Sequence, residues 1–251
     1  MNIGAARDGR LVAMAPAPPP PPVCQHLAMI PVSARIPARV AGAVAATVWA
    51  VSAPAIAIPA ASADACSDIA VVFARGTREP AGLGSVGQAF VDSIGSQAKG
   101  RSVTSYAVNY PASDDYHGSA AAGADDASAH IQDVAASCPN TKMVLGGYSQ
   151  GAAVIDLATN QMPPSVADHV AAVALFGEPT SGLSSALYGG QPLPTINPLY
   201  GGKMISLCAP DDPICSPGGN IFSHLAYIQN GMVIQAATFA VGKLGPASSR
   251  S

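Results

Sequence analysis

A serine with glycine two residues before it and two after, Gly147-Tyr148-Ser149-Gln150-Gly151, directly follows the apolar run Lys142 to Gly146 and directly precedes the helical stretch Ala152 to Ala158. A sharp turn from strand to helix lifts a serine hydroxyl above a sheet. Small residues must flank it, because the strained turn leaves no room for side chains. A hydroxyl is a poor nucleophile at neutral pH, so it needs an imidazole base and a carboxylate that holds the base in the right tautomer. Where the three follow one another as serine, acid, histidine, the candidates downstream of Ser149 are few. His169 sits just before a strand start, where a solvated surface histidine is the plain explanation, whereas His224 follows an acidic loop carrying Asp211 and Asp212. His224 is therefore the expected base, and one of the two aspartates the acid. A tetrahedral intermediate also needs two aimed donors, one of them the backbone N–H after the nucleophile, here Gln150. The loop Ala74-Arg75-Gly76-Thr77-Arg78-Glu79 offers the second through Thr77, which has both an N–H and a hydroxyl. Without further information Thr77 reads equally well as a residue that merely caps a turn.

These residues need a scaffold that brings distant segments together. Short β-branched or apolar runs alternate with longer Ala-rich stretches of helical period, the pattern of a parallel α/β sheet. Five strands are predicted, over 68–74, 103–108, 142–146, 170–176 and 203–207, with helices over 83–97, 118–137, 150–159 and 222–241. In such a sheet the loops at the carboxyl ends of the strands collect functional residues. The motifs above fall at those ends. The segment Gly177 to Gly202 holds six glycines and four prolines with little period and is expected to be a surface loop region bordering the site, with no lid helix.

At 251 residues, 49% hydrophobic and only 11% charged, the chain fits one ordered domain and is neither disordered nor a coiled coil. No Lys or Arg cluster supplies the footprint that nucleic-acid binding requires. Residues 1–65 read as an export leader. Arg35 and Arg39 precede an apolar run from about Val40 to Ala60, and small residues follow, placing cleavage after Ala63 or Ala65. Pro54 and Pro59 interrupt the run, which argues against a permanent membrane span. The unbroken prolines Pro18 to Pro22 are odd for a leader and make Met29 an alternative start. Removing the leader takes away Cys24 and Trp49 and leaves Cys66, Cys138, Cys208 and Cys215. An even set in an exported chain implies disulfides, in any of three connectivities. A catalytic domain over 66–244 and a flexible tail over 245–251 complete the expected organisation.

Taken together and in this order, the run Ala74 to Glu79, the elbow Gly147 to Gly151, the acid loop Cys208 to Cys215 and the segment His224-Leu225-Ala226-Tyr227 resemble the cutinase family over most of residues 66 to 240. The resemblance implies an α/β-hydrolase-type three-layer fold and a triad of Ser149, His224 and Asp212, the acid being the residue three before the second loop cysteine. It implies oxyanion donors at Thr77 and Gln150, and pairing of Cys66 with Cys138 and of Cys208 with Cys215. So paired, the seven-residue loop gains only ~2.5 kcal/mol by chain entropy, which makes its value positional, while the 72-residue loop gains ~4 kcal/mol and is mainly structural. Two departures stand out: Thr77 occupies a position where the family often has serine, and Pro213 stiffens the acid loop.

The expected protein is thus an exported, monomeric serine esterase acting on lipid or polyester substrates of short to medium acyl length, with no metal or cofactor needed. Two rival readings are carried forward. One is an acetylxylan esterase, disfavoured by an aromatic content of 5%, which leaves few platforms for sugar stacking. The other is a surface or antigenic binding protein that has lost catalysis.

Overall fold

The computed structural model describes residues 66–245, so the expected leader and nearly all of the expected tail lie outside the described residues. Strands β1 (Ile69–Ala74), β2 (Val103–Ala107), β3 (Lys142–Tyr148), β4 (Val170–Phe176) and β5 (Met204–Leu207) form one sheet in the order β2-β1-β3-β4-β5. Every pairing is parallel. A parallel sheet covered on both faces selects near-continuous apolar strands, and all six residues of β1 are buried. Its side chains alternate between two cores. Ala70, Val72 and Ala74 join the core beneath helices α2 (Tyr116–Ser137) and α3 (Gln150–Gln161). Ile69, Val71 and Phe73 join the core beneath α1 (Gly84–Gln97) and α5 (Met232–Lys243). Phe73, Phe90 and Phe176 anchor this second core, with ring centroids 5.6 to 6.3 Å apart. The result is the expected three-layer sandwich.

Two expectations need correcting. The apolar stretch 222–241 is not one helix: a 3₁₀ turn at Ser223–Leu225 is followed by an irregular segment, and α5 begins only after Gly231, which holds φ at 77°. The segment 177–202 is not structureless either. It contains the short helix α4 (Gly182–Leu187), whose N-cap Ser181 accepts from the Ser184 N–H, and a 3₁₀ turn at Pro198–Lys203. The disulfides are Cys66–Cys138, which ties the start of β1 to the segment before β3, and Cys208–Cys215.

One buried group has no counterpart in the sequence reading. Asp156 on α3 is fully buried, with no backbone N–H, hydroxyl or amide donor on either oxygen, and it lies within reach of the Glu178 carboxyl. Burial and the neighbouring carboxylate of Glu178, just beyond β4, push its carboxyl up to about 9.

Candidate active site

Ser149 sits between β3 and α3 with φ 55° and ψ −121°, a conformation that side-chain-bearing residues rarely adopt. Its N–H donates to the Phe176 carbonyl across the sheet at 2.8 Å. The flanking glycines are sterically required. A Cβ on Gly147 would stand 2.2 Å from the Gly151 carbonyl oxygen, and one on Gly151 would stand 2.0 Å from that of Ala74. The buried Gln150 side chain fixes the start of α3, accepting from the Ser119 hydroxyl at 3.0 Å and donating to the Ser113 carbonyl at 2.8 Å. Its backbone N–H belongs to the first turn of the helix, where donors have no partner within the helix.

The loop after β1 is clamped from two sides. The buried Arg75 guanidinium donates to the carbonyls of Glu79 and Tyr110, at 2.9 and 2.7 Å. The Glu79 carboxylate accepts from the Gly76 N–H at 2.7 Å and from the N–H and hydroxyl of Ser85 at 2.9 and 3.0 Å. Between these clamps Thr77 faces the same cavity as Ser149, and its buried hydroxyl has no hydrogen-bond partner. A fixed donor without a partner is what developing negative charge would find there.

On the far side, Asp212 is fully buried and Asp211 is exposed at φ 65°. Asp212 Oδ2 lies 2.7 Å from His224 Nδ1 and accepts from the Tyr227 hydroxyl at 2.6 Å, while Oδ1 accepts from the Ile214 N–H at 2.8 Å. Burial pushes the Asp212 carboxyl up, but the bonds from His224, Tyr227 and Ile214 outweigh it and hold the group below the usual carboxylate range. His224 is itself buried, its ring 5.0 Å from that of Tyr148 and its carbonyl bonded at 2.6 Å to the Tyr148 hydroxyl. His169 ends up at the amino-terminal end of β4, the opposite end of the sheet from Ser149.

Thr77, Ser149 and His224 line one cavity of about 570 Å³. Its lining is mostly apolar, with Val86, Leu183, Leu187, Ile214, Ile221, Leu225 and Ile228, and Glu79, Ser85, Tyr116, Tyr148, Ser184 and Gln229 add polar and aromatic groups. Phe222 and Leu225 are 75% and 63% exposed, so large apolar side chains stand in water beside the opening.

Residues 65–244 match the family model for cutinase. The chain belongs to the cutinase family. It is 69% identical over 207 residues to carboxylesterase Culp1 of Mycobacterium tuberculosis, covering 82% of this chain and 95% of that one. Of solved structures, a Trichoderma reesei cutinase bound to a phosphonate inhibitor superposes with a TM-score of 0.59 at 35% identity, covering 72% of this chain and 78% of that one. The catalytic core of an acetyl xylan esterase from Trichoderma reesei gives 0.60 at 27% identity, covering 71% and 99%.

Sequence reasoning missed the structural roles of three residues around this cavity: Tyr227, Glu79 and Arg75. Tyr227 was visible only as part of the His-Leu-Ala-Tyr string; that its hydroxyl reaches Asp212 depends on the 3₁₀ turn, which no periodicity announces.

Proposed function

We propose that this cutinase-family protein is a serine esterase in which Ser149, His224 and Asp212 form the triad and Thr77 and Gln150 the oxyanion donors. The carrying observation is the His224 to Asp212 bond, buried beside a strained serine in an apolar cavity. Ser149 Oγ attacks the ester carbonyl as His224 Nε2 takes its proton, and Asp212 stabilises the imidazolium that forms. The N–H groups of Gln150 and Thr77, with the Thr77 hydroxyl, bind the oxyanion. Its collapse breaks the ester C–O bond, and His224 returns the proton to the departing alcohol. Water, deprotonated by His224, then releases the acid and restores the hydroxyl.

The leucines and isoleucines that make up most of the apolar lining favour acyl chains. Lipid esters of short to medium chain length are therefore the proposed substrates. The likeness to an acetyl xylan esterase sustains a second reading, in which acetyl groups on xylan are removed. A fluorophosphonate probe should label folded protein at Ser149, and failure to label would hand the site to the non-catalytic reading. Nitrophenyl butyrate and octanoate should then be cleaved with a kcat/KM at least about tenfold above that for acetylated xylan, a margin that two or three buried methylenes supply. A preference for xylan would reverse the substrate assignment.

The two disulfides, and a family match that starts at residue 65, support export after removal of the leader. Among the described residues no helix is long and apolar enough to cross a membrane. Sequencing the amino terminus of protein recovered from culture medium tests export and cleavage together. Because Cys208–Cys215 closes a loop around Asp212, its selective reduction is expected to lower turnover several-fold, on the order of 1 kcal/mol of lost orientation, before the fold melts. Activity and far-ultraviolet circular dichroism followed along one reductant titration check this; equal activity of the oxidised and singly reduced forms speaks against it.

A further inference from the structure

The Tyr227 hydroxyl is the second donor on the carboxylate oxygen that holds His224. It is fully buried, donates to Asp212 Oδ2 at 2.6 Å, and accepts from the Ala209 N–H at 3.2 Å. It thus grips both the start of the acid loop and the acid itself. The accepted bond from Ala209 orients the hydroxyl so that its proton points at Asp212. Packing fixes the ring, which meets Tyr148 and Phe176 edge-on at 5.8 and 6.0 Å.

Oδ2 therefore divides its charge between two donors, the His224 imidazole and the Tyr227 phenol. A carboxylate that already accepts a strong hydrogen bond is less basic and holds a protonated imidazole less tightly. We propose that Tyr227 is a positioning residue that, by sharing Oδ2 of Asp212 with His224, aims the carboxylate and limits how firmly it stabilises the imidazolium. This rests on the triad reading given above. The balance matters because the imidazole must be neutral to accept the serine proton and must surrender that proton later.

The other titratable groups around the pair are few. Tyr148 from β3 faces His224 and Tyr227 through its ring, and Glu79 faces Tyr148 from the oxyanion loop. Asp211 is adjacent in the chain but exposed. Cys208 and Cys215 are joined and do not titrate. Among the described residues the only ion pair of Asp212 is with His224.

The test is the pH dependence of kcat/KM for nitrophenyl butyrate, measured on wild type and Tyr227→Phe. The variant is expected to lose about tenfold at the plateau, as for a hydrogen bond to a charged group. Its acid-limb midpoint should also move up by roughly half a unit or more, because the unshared carboxylate favours the imidazolium. Site-specific 3,5-difluorotyrosine at 227, a stronger donor of nearly the same size, should move the midpoint down, and it keeps the question decidable where the phenylalanine variant does not fold. Midpoints that stay put in both proteins overturn the proposal and leave Tyr227 a packing residue. Failure of the triad reading would look different: the wild type itself would show neither turnover nor labelling at Ser149.

Discussion

Replacing Ser149 by alanine is expected to lower kcat/KM for a soluble nitrophenyl ester by about 10⁴- to 10⁶-fold. The loss is that large because the members of the proposed triad would act as a unit, and His224 without the hydroxyl would have nothing to deprotonate but water. Stability should respond in a way that separates chemistry from folding. Alanine keeps the Cβ, and therefore the strain of φ 55° and ψ −121°, so its urea midpoint should stay close to that of wild type. Glycine at the same position should abolish activity equally but raise stability by about 1 kcal/mol, since glycine tolerates positive φ. Appreciable turnover by Ser149→Ala would remove Ser149 as the nucleophile. A glycine variant no more stable than the alanine variant would mean that the elbow carries no strain.

The second large effect concerns Asp156. In the unfolded chain this carboxyl titrates near the ordinary aspartate value of about 3.9, whereas burial and Glu178 push it up to about 9 in the fold. Between those values the native state binds more protons than the unfolded state, so this group's contribution to stability falls as the pH rises. It is fully present below the lower value and lost as the pH climbs through the upper one. Asp156→Asn keeps the shape, cannot ionise, and offers Glu178 a donor. Relative to wild type, the variant should gain stability with pH, by at least about 1 kcal/mol between pH 5 and pH 8; complete proton retention by Asp156 would give about three times that or more. Urea unfolding of both proteins at the two pH values measures it. A gap that does not change with pH would mean that Asp156 is already ionised in the fold. Asp212 works with the opposite sign: its carboxyl is held below the usual range, so its contribution is lost as the pH falls through that lowered value.

The strands were legible almost to the residue because a sheet buried on both faces demands apolar runs, and β1, β3 and β4 are such runs. The serine turn was legible because its steric needs dictate glycines at fixed offsets. The stretch 222–241 misled for a definite reason. Ile221, Leu225 and Ile228 line the cavity and Phe222 stands exposed, none of them covering a core, so their spacing mimicked a helix that does not form. Helix α4 escaped notice because tertiary bonds help to hold it; the Ile214 carbonyl accepts from the Ser184 hydroxyl at 2.7 Å. The burial of Asp156 and the reach of the Tyr227 hydroxyl to Asp212 had no signal in the sequence, since their surroundings come from segments far away in the chain or from an irregular turn.

The Cys66–Cys138 bridge lies at the amino-terminal end of the strands, and the Arg101 guanidinium donates to the Gly245 carbonyl just before β2 begins. Both ends of the described chain therefore emerge at one pole of the molecule, while Ser149 opens at the other, about 20 Å away along a six-residue strand. A probe attached beside Cys66 or Gly245 would therefore sit on the face away from the cavity mouth and leave access to Ser149 unobstructed.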